Sequence, residues 1–118
     1  MKTKHNEPSV RFGLKEYVIQ EVVAVLKKHL EVESAILYGS RAMGNFRPGS
    51  DIDLTLTGKA LTHQVVARIE NEIDDLLLPY LFDISILSHI DNPNVVHHIN
   101  RVGVAFYKQE IAPAQSPS

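Results

Sequence analysis

The chain predicts an α/β domain, a small mixed β-sheet flanked by helices, and three observations carry that prediction. Apolar residues recur at helical spacing in two long stretches, short strand-like runs stand between and after them, and Gly, Pro and Asn punctuate the joins. Leu14, Val18, Val22, Val25, Leu26 and Leu30 form one apolar stripe with Lys15, Glu16, Glu21, Lys27 and Lys28 between them, so residues 13–31 are expected as an amphipathic helix. Strands are expected over 33–38 and 52–57. Leu61 to Leu77 reads as a second helix with Val65, Ile69, Ile73 and Leu76 inward, and Pro79 stops it before the strand-like run from Tyr80 to Leu87. Asn92 is placed to cap a last helix with Pro93 at its first position, running to Arg101 and ending at Gly103. Val104 to Tyr107 closes the sheet as a short strand. The domain is expected over 10–111, between polar, proline-bearing ends at 1–9 and 112–118 that read as flexible.

Composition narrows the function classes. At 118 residues with 44% hydrophobic content the chain makes one core, with no room for a separate acceptor-binding module. A net charge of −2 gives no broad basic face, so nucleic acid is not favoured as a partner. Without cysteine there is neither a disulfide framework nor a thiolate zinc site. No long apolar run or signal-type start stands out, and a cytoplasmic protein with no membrane association is expected.

The chemistry gathers in Asp51-Ile52-Asp53. In an extended strand alternate side chains share a face, so Asp51 and Asp53 point the same way, roughly 7 Å apart along the chain. Were rotamers to bring the carboxylates within about 4 Å, their repulsion would be on the order of 4 kcal/mol, which a divalent cation between them turns into attraction. Asp83 lies in a second apolar run, on the face opposite Phe82, Ile84 and Ile86, and would supply a third oxygen ligand and a general base.

A phosphate-type turn precedes the acids. Ala35 to Tyr38 is strand-like, Gly39 stops it, and Ser40 can cap a helix start through Met43. Gly39 lets a backbone approach an anion, and free N–H groups at a helix start attract one. Neither a Walker A loop nor a dinucleotide fingerprint fits Gly39 and Gly44. Arg41 is a candidate phosphate contact, Arg47 a weaker one, and Ser50 either bonds the nucleotide or turns the chain before Asp51. His97 and His98 are adjacent, face different sides of a helix and read as surface or interface residues.

Leu37-Tyr38-Gly39-Ser40-Arg41-Ala42-Met43-Gly44, then Arg47-Pro48-Gly49-Ser50-Asp51-Ile52-Asp53-Leu54, resembles the G-S-x10-D-x-D signature of the DNA polymerase beta-like nucleotidyltransferase superfamily. Within it the chain is similar to the minimal, MNT-type nucleotidyltransferases, a likeness that extends over most of residues 13–108. The resemblance implies that Gly39 and Ser40 hold a triphosphate and that Asp51, Asp53 and Asp83 hold two magnesium ions, with manganese as the alternative. It implies transfer of a nucleoside monophosphate, AMP from ATP, to a hydroxyl with release of pyrophosphate. It also implies a small all-helical HEPN-type partner, which the chain would modify as the antitoxin of a toxin–antitoxin pair. The alternatives are a non-catalytic nucleotide-binding module that masks a partner, and a transferase acting on a small molecule such as an antibiotic. A nuclease is not supported, because no arginine begins the R-x4-6-H pattern of HEPN ribonucleases.

Overall fold

The computed structural model describes residues 10–110, so the ends read above as flexible lie outside the described residues. Val10–Arg11 (β1) and Leu14–Lys15 (β2) form a two-stranded hairpin whose turn, Phe12-Gly13, has both residues at positive φ. The first helix therefore begins later than its periodicity implied: Glu16–Lys27 (α1). Leu14 still enters the core, but from the hairpin, while Leu30 lies beyond the helix and is 80% exposed. A spacing of four residues does not distinguish a helical turn from a hairpin leading into one.

The remaining elements follow the expected order. They are Ser34–Tyr38 (β3), Ser40–Met43 (α2), Ile52–Thr57 (β4), His63–Asp74 (α3), Phe82–Ile86 (β5), Pro93–Val102 (α4) and Val104–Lys108 (β6). Thr62 caps α3 by accepting from the Val65 amide, and Asn92 caps α4 by accepting from Asn94. The sheet is mixed, in the order β5-β4-β3-β6, with β4 and β5 parallel and the other pairs antiparallel.

Strand alternation divides the sheet into two faces. Ala35, Leu37, Ile52, Leu54, Leu56, Ile84 and Ile86 are buried in one core with Val22, Val25 and Leu26 of α1 and Val65, Ile69 and Ile73 of α3. The opposite face carries Tyr38, Asp53, Thr55, Thr57, Asp83 and Ser85. Its hydroxyls pair across strands: Ser34 with Thr57 at 2.6 Å, and Ser85 donating to Thr55 at 2.9 Å. Helix α4 packs against β3, where Gly103 leaves no room for a Cβ beside Ile36 and the Ile99 carbonyl. Among the described residues no helix is long and apolar enough to cross a membrane.

One joint tests the packing of the β4 exit. Gly58 has φ +156°, and a Cβ there would run into the Glu31 carbonyl. Gly58→Ala is expected to lower stability by about 2–3 kcal/mol, whereas Gly49→Ala, which meets open space, is expected within about 0.5 kcal/mol of wild type. Urea titrations of the two variants check this contrast.

Candidate active site

The acids meet through strand pairing. Asp53 is in register with Tyr38 on one side and with Asp83 on the other. In-register neighbours on adjacent strands stand about 5 Å apart, so the two carboxylates share one rank of the sheet. Asp51 lies just before β4 and is exposed, as is Asp83, while Asp53 is half-buried. Desolvation first, then the charges of Asp83 and Asp51, hold the Asp53 carboxyl above the usual carboxylate value. Burial likewise raises the Tyr38 phenol; a hydrogen bond with Ser85 opposes this, and Asp83 and Asp53 add to it.

The donor set consists of carboxylate oxygens, the chemistry that suits magnesium or manganese. Among the described residues no three His, Cys, Asp or Glu side chains converge into a ready-made metal cluster. Asp53 and Asp83 are neighbours in rank, and Asp51 immediately precedes β4.

The glycine turn stands against the same acids, for a reason the sequence did not reveal. Gly39 takes φ 76° and ψ −158°, and the space a Cβ would fill is held by the Asp53 carboxylate. The anion whose approach this glycine permits is the chain's own. Gly39, not Ser40, is the N-cap of α2, and its carbonyl accepts from the Ala42 and Met43 amides. Ser40 is the first helical residue, so its hydroxyl does not serve as the cap. The first N–H groups of a helix have no acceptor within it, which leaves this edge of the turn suited to an anion.

Arg41 corrects a sequence expectation. Its side chain is only 2% exposed and does not reach out as a phosphate contact. Nε donates to the Ser50 carbonyl at 3.1 Å, and the two terminal nitrogens donate to Phe12 at 2.9 Å and Pro48 at 3.1 Å. The guanidinium carbon lies 5.1 Å from the Phe46 ring centre and 5.3 Å from that of Tyr80. This cation ties the β1–β2 turn, the loop before β4 and the entry to β5 into one support beneath the acids. Ser50 belongs to the same loop. Its hydroxyl accepts from the Arg47 amide at 2.8 Å, which closes the turn before Asp51.

His98 corrects another. It is half-buried on α4, its ring meets Tyr38 edge-on at 6.2 Å, and its Nε2 accepts the Gly39 N–H at 3.2 Å. An accepting Nε2 belongs to the neutral ring with its proton on Nδ1. His97, by contrast, is exposed as expected. The pairing spans 59 residues and depends on α4 returning across β3. The only sequence signals were the Asn92-Pro93 cap and Gly103, which delimit the helix but do not orient it.

Two outcomes follow. Arg41→Lys is expected to cost about 2–3 kcal/mol of folding stability, because one ammonium cannot serve three divergent carbonyls and two rings, and denaturant titration measures it. For Asp53 the sign is worked from its raised pKa in the folded state. Its ionisation opposes folding, so stability is lost as pH rises through the range between the unfolded and folded values. In metal-free buffer Asp53→Asn is expected to be more stable than wild type at pH 7, with the advantage vanishing once pH falls below the unfolded carboxylate value of about 4. Thermal melts across pH check both sign and window.

Comparison with known proteins bears on this geometry. The family model for the polymerase beta nucleotidyltransferase domain matches residues 20–112. No curated relative matches the sequence. In fold the chain is similar to one in a toxin–antitoxin crystal structure with AMP-PNP, at TM-score 0.63 and 15% identity over 78% of this chain and 74% of that one. A mutant MntA–HpeT toxin–antitoxin structure gives TM-score 0.62 and 13% identity, with the same coverages of 78% and 74%. A tri-AMPylated Shewanella oneidensis HEPN toxin in complex with its MNT antitoxin gives 0.59 and 12%, over 80% and 72%. At these identities the structural likeness speaks for the fold, and the family match speaks for descent. With the glycine turn abutting Asp53, the Asp53–Asp83 rank and a family match over most of its length, the chain belongs to the polymerase beta nucleotidyltransferase family.

Proposed function

We propose that the chain transfers AMP from ATP to a hydroxyl on a small all-helical HEPN-type protein, as the antitoxin of a toxin–antitoxin pair. The observation that carries this reading is the shared rank of Asp53 and Asp83 beside the Gly39 turn, which sets two carboxylates next to the start of α2. Support for the partner comes from the fold neighbours, chains of toxin–antitoxin complexes, one with AMP-PNP and one with an AMPylated HEPN toxin.

In the mechanism Asp51, Asp53 and Asp83 would hold magnesium, or manganese in its place. When bound, the two ions would supply charge stabilisation for the reacting phosphate and the leaving pyrophosphate. The amides at the start of α2, with the Ser40 hydroxyl, would bind the triphosphate tail. The acceptor oxygen attacks the α-phosphorus in line, the bond from that phosphorus to the bridging oxygen breaks, and pyrophosphate leaves with the electron pair. Asp83, exposed at the edge strand, takes the acceptor's proton and returns it to water. Arg41 enters no step; it holds the loops that place Asp51 and Asp53.

Incubation with ATP, magnesium and the HEPN-type protein is expected to add one or more AMP masses to that protein. Asp51→Asn and Asp53→Asn should each slow transfer at least about a hundredfold, and Asp83→Asn should lower turnover while ATP affinity stays within about threefold. Stable association with no added mass would favour the masking module. Transfer to a small-molecule hydroxyl with none to protein would replace the acceptor assignment.

A further inference from the structure

We propose that His98 is the positioning residue of the glycine turn: its Nε2 holds the Gly39 amide, and so sets the direction in which the Ser40 and Arg41 amides face a nucleotide's phosphates. For the nucleotide this rests on the transferase reading above; for the turn it rests on geometry alone.

The turn needs such a hold. Gly39 sits at φ 76° and ψ −158°, a conformation only glycine adopts freely, and free rotation there would let the next peptide planes swing. Two contacts restrain it. On the Cα side the Asp53 carboxylate fills the space of the missing side chain. On the amide side Nε2 of His98 accepts at 3.2 Å. The imidazole is itself held, edge-on to Tyr38 at 6.2 Å, on a helix whose own position is fixed. Helix α4 starts at the Asn92 cap, ends with the Gly103 amide on the Ile99 carbonyl at 2.7 Å, and buries Ile99. At that end Gly103 lies so close to Ile36 of β3 that a Cβ would come within 2.7 Å of its methyl carbon. The helix is thus closely seated on β3 at this end, which keeps the imidazole beside the turn.

One consequence is a division of donors. The Gly39 amide belongs to His98, so the donors offered to phosphate begin at Ser40. Gly39 therefore positions and does not grip. Another is that α4, otherwise remote from the acids, becomes part of the nucleotide site through one hydrogen bond.

The test uses the full chain, labelled with 15N, and three variants. His98→Gln puts an acceptor oxygen close to the place of Nε2, His98→Asn puts one near the place of Nδ1, and His98→Ala has none. Amide exchange of Gly39 reports the hold directly, without nucleotide. Binding of MgATP by calorimetry reports its effect. In Ala and Asn, Gly39 exchange is expected to quicken about tenfold and MgATP affinity to fall about five- to tenfold, while Gln stays within about threefold of wild type in both. Melting temperatures near wild type for all three separate positioning from general destabilisation. Unchanged Gly39 exchange in Ala overturns the proposal, as does faster exchange with unaltered MgATP affinity, or a Gln variant no better than Asn. A wild-type chain that binds no MgATP would instead overturn the transferase reading, and the exchange experiment would still decide whether His98 holds the turn.

Discussion

Asp53 presses a carboxylate oxygen into the place of a side chain on Gly39, and the same carboxylate stands in rank with Asp83 on a half-buried sheet face. Most features of the site follow from accommodating that one group. The residue opposite must be glycine, since any Cβ would displace the acid or be displaced by it. The face around it must be polar, and it is lined by Thr55, Ser85 and Tyr38, whose hydroxyls tolerate a charge that an apolar face would expel. The cost is visible in the raised Asp53 pKa, which desolvation and two like charges produce together. Placing Asp53 beside Asp83 adds nothing to the stability of the fold, and clusters of perturbed acids of this kind are characteristic of functional sites.

Arg41 shows the complementary device. A buried guanidinium would be expensive without partners, and here no acid partners it. Three carbonyls and two aromatic rings satisfy it, so the positive charge is satisfied locally by dipoles and π-faces. It engages neither Asp51 nor Asp53, whose carboxylates are left to the polar face of the sheet. The loop is thereby stiffened without reducing the negative potential of the face.

Much of the fold was legible because periodicity and punctuation agree. Helices α3 and α4 begin at residues whose side chains cap them, and the strands β3, β4 and β5 alternate between core and polar face as their sequences do. The small hairpin at 10–15 was missed because Leu14 suits a helical stripe as well as a strand, and only the Phe12-Gly13 turn separates the two. In the site, the acids and the glycine were legible as a motif with fixed spacing. The reason for the glycine was not, since it depends on a cross-strand contact. Arg41 was misjudged because a charged residue in a loop is usually solvated, and sequence does not show that two loops and a hairpin close over it. His98 was out of reach because its partner lies 59 residues away and the link depends on how α4 crosses the sheet.

Parallel pairing of β4 and β5 carries a consequence for how the site comes into being. Asp53 and Asp83 are thirty residues apart in sequence, and the parallel pairing of their strands requires the crossover that α3 supplies. Because side chains alternate, a slip of one residue in β5 would turn Asp83 toward the core and bring an apolar neighbour into the acid rank. Partial registers therefore yield no partial site. Asp53 and Asp83 become neighbours only when β4 and β5 pair. The acid rank is thus a readout of strand register: it exists only where β4 and β5 have met in the one alignment that the core permits.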